Sequence, residues 1–195
     1  MSAWTFLKRP VLAAACGLAC CSCSIPVTGP GSIPKAAASV QVGKTTYSEL
    51  EGRLGKPTVA DQKGDRRIAN WSSSAVGMGA GSFIGSNDAI FESLGVEYDS
   101  KGTVNRSVSH RGKVRTTLAT PFQTSHIAAA SRDPGRFAKM KRASQVEAEL
   151  GPPQFKLITL EGESWRWVGY PDAPGNAILV ADLDRQGRIL RTTLR

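Results

Sequence analysis

Four cysteines are the residues whose type and spacing point most directly to a chemistry. They are Cys16, Cys20, Cys21 and Cys23, and none follows in the remaining 172 residues. Because all four crowd into the start of the chain, the sequence excludes a disulfide framework or a cysteine metal site in the part that folds. Their chemistry must therefore be a modification near the N-terminus.

The residues around these cysteines have the pattern of an export signal. Two basic residues precede an apolar stretch, Val11 to Ala19, that is too short to cross a bilayer. The segment Gly17-Leu18-Ala19-Cys20 resembles the lipobox of bacterial lipoproteins, in which the first mature residue is a lipid-modified cysteine. We therefore predict a signal peptide over residues 1–19 and a lipid on Cys20, with Cys21 as the alternative.

The other residue types that perform chemistry are too scattered to form an active site. The chain has two histidines, His110 and His126, and neither has a cysteine or carboxylate at ligand spacing. Ser72-Ser73-Ser74 has no neighbouring base pattern that would activate a nucleophile, and the glycine-rich segment 77–85 lacks the Gly-Lys-Ser/Thr of a phosphate loop. We predict a protein that is not an enzyme and binds no metal or cofactor.

Composition indicates a basic, globular protein of one or two small domains. The 195 residues carry a formal net charge of +9, and 41% of them are hydrophobic. One cluster of basic residues could be a solvated face or could contact an anionic membrane surface, whereas an exported protein rarely meets nucleic acid. The residues predicted to make that contact are Arg136, Lys139, Lys141 and Arg142.

An internal repeat is the most informative feature of the sequence. Residues 46–57 match residues 142–153 at an offset of 96, and the same offset carries Trp71 onto Trp167. Residues 98–106 then match residues 183–191 at an offset of 85, so the first copy holds 11 extra residues, in a glycine-rich region. The chain is predicted to contain one structural unit twice.

Each copy has the local signals of a short helix. Thr46 and Glu49 fit a capping box, and Gly55 ends the helix that they begin. In the second copy, Ser144 with Glu147 offers the equivalent cap. An additional helix is expected within 120–130, ended by Asp133-Pro134-Gly135, and residues 37–42 could supply its counterpart in the first copy.

After each helix the apolar period changes to two, which is typical of strands. The second copy has strand patterns at 155–160, 163–170, 177–183 and 188–194, and an Asp-x-x-Gly turn separates the last two. We therefore predict an α+β fold of two tandem units, each with short helices packed on a three- to four-stranded antiparallel meander sheet. The units span residues 42–112 and 113–195, after a lipidated tether over 20–41.

These motifs resemble the SmpA/OmlA family, the BamE-like outer-membrane lipoproteins. The resemblance is carried by Leu54-Gly55-Lys56-Pro57 and Leu150-Gly151-Pro152-Pro153, each followed by a tryptophan strand and Asp-x-x-Gly. It implies two helices on a three-stranded antiparallel sheet, a lipid anchor on the periplasmic face of a bacterial outer membrane, and no catalysis. Two copies, the insertion and the basic charge are departures from the family, and tandem copies are also similar to the beta-lactamase inhibitor protein architecture.

The resemblance implies a lipid-anchored envelope scaffold that supports outer-membrane assembly or integrity by binding an outer-membrane or periplasmic protein. The alternative is a periplasmic inhibitor or binding module that uses its paired sheets as a binding surface. Positions that the two copies do not share are the candidates for partner or membrane contact. Besides the basic cluster, these are Met78, Phe83 and Ile84 in the insertion and Trp165, which has Ala69 at its matching place.

The insertion generates a first prediction. Replacing Phe83 and Ile84 together by alanine is expected to leave the melting temperature nearly unchanged and to weaken partner or membrane association, because a glycine-rich loop adds little to core packing. Thermal unfolding compared with Leu150→Ala is the measurement. An equal loss of melting temperature would show that the loop belongs to the core.

Overall fold

The computed structural model is an α+β protein with two antiparallel four-stranded sheets and a few short helices. The structure describes residues 32–77, 86–117, 134–168 and 178–194. The helices are α1 (Ser32–Ser39), α2 (Tyr47–Leu54), α3 (Pro134–Ala138) and α4 (Ala143–Leu150). The first sheet contains β1 (Val59–Lys63), β2 (Arg66–Gly77), β3 (Ser86–Tyr98) and β4 (Val104–Thr117). The second contains β5 (Phe155–Ile158), β6 (Gly162–Val168), β7 (Ile178–Asp184) and β8 (Ile189–Leu194).

Both sheets are meanders in which each strand pairs with its neighbour in sequence, in the orders β1-β2-β3-β4 and β5-β6-β7-β8. We call α1, α2 and the first sheet the first half, and α3, α4 and the second sheet the second half. Each half packs its helices on one face of its sheet, around Trp71 in the first half and Trp167 in the second. The predicted α+β class and antiparallel meanders are confirmed.

The same contacts recur in both halves at the offsets found in the sequence. The indole N–H of Trp71 donates to the carbonyl of Gly55 at 2.8 Å, and that of Trp167 donates to the carbonyl of Gly151 at 2.9 Å. Both glycines end a helix with positive φ, 75° and 73°, a conformation that L side chains rarely adopt. The Leu-Gly motif therefore fixes the place where each tryptophan docks.

The start of α2 agrees with the prediction, and the start of α4 does not. In α2, the side chain of Thr46 accepts from the N–H of Glu49 at 3.3 Å, and the Glu49 carboxylate accepts from the N–H of Thr46 at 2.9 Å. In α4, the cap predicted from Ser144 and Glu147 is wrong, because the helix already begins at Ala143. Burial of Ala143 in the core, and the bond from its N–H to the carbonyl of Gly187, fix this earlier entry.

The folded part of the first half begins earlier than predicted. Residues 32–39, which we assigned to the tether, form α1, so the helix lies one turn before the 37–42 segment considered for it. Ile33 and Ala36 of α1 are buried in the core of the first half. Ala-rich composition favours a helix as strongly as it favours a linker, and the buried contacts of this segment decide between them.

Pro134 begins a short helix of the second half that the sequence did not predict. The helix expected within 120–130, which residues 133–135 are predicted to end, lies outside the described residues. Proline is well suited to the first helical position because its missing N–H would have no partner there. Phe137 of α3 is buried in the core around Trp167.

The 11-residue insertion lengthens strands as well as the connection between them. β2 and β3 stay paired as far as Gly77 and Asp88, and β4 follows β3 to a pair between Ser86 and Thr117. The predicted boundary between residues 112 and 113 therefore falls inside β4. Met78, Phe83 and Ile84 lie outside the described residues.

The two halves meet where edge strand β5 crosses the helix-free face of the first sheet. The Asn70 side-chain amide donates to the carbonyl of Ile158 at 2.9 Å, and its oxygen accepts from the N–H of Ile158 at 2.8 Å. The Ser93 hydroxyl donates to the carbonyl of Lys156 at 3.0 Å. Side chains of the first sheet thus satisfy the outer backbone groups of β5, which would otherwise be buried without partners.

Two glycines allow this close approach. A Cβ on Gly95 would lie 2.5 Å from the side-chain oxygen of Asn70 and 2.9 Å from the backbone nitrogen of Ile158. A Cβ on Gly112 would lie 3.0 Å from the Cα of Gln154, just before β5. Any larger residue at either place would push the halves apart.

Asn70→Ala is expected to lower the free energy of unfolding by about 3 kcal/mol, because it leaves a buried N–H and carbonyl of Ile158 unsatisfied and opens a cavity. Urea unfolding of the full chain is the measurement. Asn105→Ala, at an exposed position of the same sheet, is the control and should change that free energy by less than about 0.5 kcal/mol. Equal effects of the two substitutions would contradict the role assigned to Asn70.

Candidate binding cleft

A cleft of about 600 Å³ opens beside the contact between the halves. One wall comes from β1 and β2 of the first sheet, and the other comes from the helix-free face of the second sheet. The main lining side chains are Val59, Asp61, Ile68, Leu157, Glu161, Arg166, Val180, Asp182, Leu190 and Arg191. It is therefore a place where both sheets could touch one ligand.

Strand alternation explains why these side chains reach the cleft. In β2, Ala69 and Trp71 face the helices, so Ile68 and Asn70 face the other way. In β6, Trp167 faces the helices, and Ser164 and Arg166 face the cleft. Each sheet thus has one face committed to its helices and one face available to the other half and to the cleft.

The walls of the cleft combine apolar surface with charge. Val59 is 42% exposed and Leu190 is 56% exposed, so the lining presents two large aliphatic side chains to solvent. Arg191 pairs with the Asp182 carboxylate at 2.6 Å, and Ser164 donates to the same carboxylate at 2.9 Å. The remaining carboxylates of the lining, Asp61 and Glu161, lie on exposed residues.

A buried carboxylate links the two halves next to the cleft. Glu97 is 4% exposed, and it accepts from Arg66 of its own sheet at 2.8 Å and from Arg185 of the second half at 2.8 Å. Burial by itself raises the pKa of Glu97, but the two arginines outweigh burial and hold this pKa below its ordinary value. Arg106 adds a second ion pair across the interface, to Glu163 at 2.8 Å.

His110 also lies at the interface between the halves. Its Nε2 is 2.7 Å from the carbonyl oxygen of Pro153, just before β5. Burial lowers the pKa of His110 below its ordinary value, since desolvation disfavours the charged ring. A neutral imidazole can donate to the Pro153 carbonyl, so His110 helps to hold β5. His126 lies outside the described residues.

The contacts of Trp165 lie mainly within the second half. Trp165 lies on the same face of β6 as Trp167 and packs half-buried against the core, with its ring centroid 6.2 Å from that of Trp167. Its indole N–H donates to Glu163 at 2.8 Å, and the Lys156 ammonium lies 3.7 Å from its ring centroid. These contacts give Trp165 a packing role within its own half.

The four predicted basic residues lie together around the corner between α3 and α4, and all are exposed. Arg136 is engaged by Glu149 at 2.8 Å. Lys141 and Arg142 direct their backbone N–H groups to the side-chain oxygen of Gln145, which leaves their charged ends to solvent. The segment is a compact positive corner on the side of the second half that carries its helices.

Two further observations concern the described residues only. They contain no group of three or more His, Cys, Asp or Glu side chains placed to hold a metal ion. Among them, no helix is long and apolar enough to pass through a bilayer. Cys20 and Cys21 lie outside this part of the chain.

Sequence reasoning missed the residues that build the interface and the cleft. Asn70 aligns with Arg166 at an offset of 96, and Ser93 and Gly95 align with Ile178 and Val180 at an offset of 85. The two copies carry different residues at these positions. The criterion that selected Phe83 and Trp165, namely a difference between the copies, therefore also selects these positions. No known protein family, curated protein or solved structure matches this chain.

The ion pairs of Glu97 predict a pH dependence. A lowered pKa in the folded state adds stability that is present above the ordinary value of about 4.5 and is lost as pH falls through the lowered pKa. Glu97→Gln should therefore cost about 2 kcal/mol at pH 7, and the difference from the unsubstituted chain should shrink on acidification. Urea unfolding between pH 7 and pH 3 measures it, and Asp65→Asn in an exposed turn is the control. A difference that does not change with pH would contradict the ion-pair role.

Proposed function

We propose that this chain is a lipid-anchored, non-catalytic scaffold of the bacterial envelope, located on the periplasmic face of the outer membrane. It supports outer-membrane assembly or integrity by binding a periplasmic or outer-membrane protein and by touching the membrane surface. The lipid on Cys20, or on Cys21, places the folded part beside the membrane, and two tandem copies of a unit similar to the SmpA/OmlA family form the folded part.

One observation carries the scaffold proposal: the two halves are fastened to each other over a buried polar interface. The bonds from Asn70 and Ser93 to β5, and the ion pairs of Glu97, fix the angle between the sheets. A protein that positions a partner needs such a rigid body, because a flexible pair of units would lose binding free energy in ordering itself. The recurring Trp-to-Gly bonds support the tandem unit.

The positive corner supports the membrane contact. Lys139, Lys141 and Arg142 are exposed on one short segment, and each basic residue brought to an anionic leaflet contributes about 1 kcal/mol. Such a contact adds electrostatic attraction to the insertion of the lipid anchor. Nucleic acid is not an expected partner of an exported protein.

The cleft favours a second candidate, a periplasmic inhibitor or binding module. Its walls come from both sheets, and its exposed apolar side chains Val59 and Leu190 are the kind of surface that marks a protein contact. This candidate differs from the scaffold in what the partner gains: an inhibitor lowers the partner's activity, whereas a scaffold leaves it active and in place.

Crosslinking the full chain in intact membranes, followed by detergent extraction and co-purification, tests the proposal. We expect a defined envelope protein in stoichiometric amount, and we expect Cys20→Ser combined with Cys21→Ser to release the chain into the soluble periplasmic fraction. Cys16→Ser, outside the predicted cleavage site, is the control and should stay in the membrane. Membrane retention of the double variant would overturn the anchor, and the absence of any stoichiometric partner would overturn the scaffold.

A further inference from the structure

Strand β1 is an edge strand with an open hydrogen-bonding side. It pairs with β2 on one side only, and all five of its residues are exposed. The two-residue turn joins Lys63 to Arg66, and in that register Asp61 directs its backbone groups to Ile68 of β2. The backbone groups of the alternate residues, Ala60 and Gln62, therefore point away from the sheet. The N–H of Gln62 already donates to the carboxylate of Asp61 at 2.7 Å, so the groups left for a neighbouring strand are the N–H and carbonyl of Ala60 and the carbonyl of Gln62.

The second half shows what an occupied version of this edge looks like. At an offset of 96, Ala60 and Gln62 correspond to Lys156 and Ile158, whose outer backbone groups are the ones bound by Ser93 and Asn70. The outer edge of β5 is thus covered by the first sheet, whereas the outer edge of β1 is not covered in this way. The cleft lies directly alongside the uncovered one.

We propose that β1 binds an extended segment of a partner protein, which adds to the first sheet as a fifth strand. This rests on the proposed function, because it specifies how the scaffold holds its protein partner. Main-chain hydrogen bonds to the N–H and carbonyl of Ala60 and to the carbonyl of Gln62 supply the affinity of such strand addition. Alternate side chains of the bound segment enter the cleft and supply the specificity.

The lining of the cleft defines the segment that fits. Val59, Leu157 and Leu190 offer apolar surface to every second side chain of a strand beside β1. Asp61 and Glu161 add two exposed carboxylates near the same strand, although the chain as a whole has a net charge of +9. We infer that the segment alternates apolar side chains and carries a Lys or Arg among them, opposite these carboxylates.

The charges on β1 fit this selectivity. Asp61 and Lys63 lie on the edge itself, and charged edge residues are the usual protection against indiscriminate strand pairing. A segment without a complementary charge would bury the carboxylate of Asp61 with the N–H of Gln62 as its hydrogen-bond donor and no opposite charge from the segment. The edge is therefore open only to strands that bring a basic residue to the right position.

The test uses synthetic nine-residue peptides that alternate Val with Thr, with either Lys or Glu replacing the central Val. Titrated against the full chain in detergent, the Lys peptide should bind at least about tenfold more tightly than the Glu peptide, as expected for one close charge pair. Amide hydrogen exchange should show new protection at Ala60, whose N–H points away from the sheet. The double variant Asp61→Asn with Glu161→Gln should remove the preference. Absence of saturable binding, or protection elsewhere, would overturn the proposal.

Substitutions on β1 give the matched controls. Ala60→Pro removes only an outward N–H, which an edge strand tolerates, and it should weaken the Lys peptide about tenfold, whereas Ala60→Thr keeps the N–H and should bind within about threefold. Should the proline variant unfold in urea earlier than the threonine variant, peptides N-methylated at alternate residues test the same bonds on the unsubstituted chain. Equal binding by methylated and unmethylated peptides would overturn strand addition.

Failure of this inference can be told apart from failure of the proposed function. A partner that co-purifies equally with the unsubstituted chain and with Ala60→Pro would leave the scaffold standing and overturn strand addition at β1. A partner lost with Ala60→Pro and kept with Ala60→Thr supports both. Absence of a partner with all three chains would overturn the scaffold.

Discussion

The structure depends on the bonds between the side chain of Asn70 and the backbone of Ile158. Edge strand β5 would present unpaired N–H and carbonyl groups, and the first sheet satisfies them with a side-chain amide rather than with another strand. A buried backbone group without a partner costs about 1–3 kcal/mol. These bonds therefore stabilise the contact and also fix how β5 lies on the first sheet. Gly95 must be a glycine for the same reason, because a Cβ would occupy the place of these bonds.

Polar groups rather than a large apolar core hold the halves together. The apolar contacts between the halves are a small cluster, with Ile68, Ile158 and Leu160 buried in it, and an edge-to-face pair of Phe91 with Phe155 at 5.3 Å. Around it lie the carboxylate of Glu97, between two arginines, and the ring of His110 against Pro153. Directional bonds set an angle and a register that apolar contact alone would leave loose. The cleft keeps its shape because both of its walls belong to this fixed arrangement.

The sequence predicted the elements well and their assembly poorly. Helix α2, its cap at Thr46 and the meander strands follow from local patterns, since capping and strand alternation act within a few residues. The bond from Asn70 to Ile158 joins residues 88 apart, and no periodic pattern in the sequence predicts it. The wrong cap at Ser144 and the unpredicted helix α3 have a similar cause, because tertiary contacts of Ala143 and Phe137 stabilise these helices where they begin.

The two halves differ most where they meet, and this asymmetry creates the cleft. A sheet face that receives a neighbour's edge needs a small residue beside an amide and a hydroxyl, as at Gly95, Asn70 and Ser93. The matching face of the second sheet carries Val180, Arg166 and Ile178 instead, so it cannot receive β1 in the same way. One edge is therefore covered and the other is left open beside a face of mixed apolar and charged character. A symmetric pair of units would have closed both edges or neither, and only the unequal pair offers a strand edge and a sheet face to the same ligand.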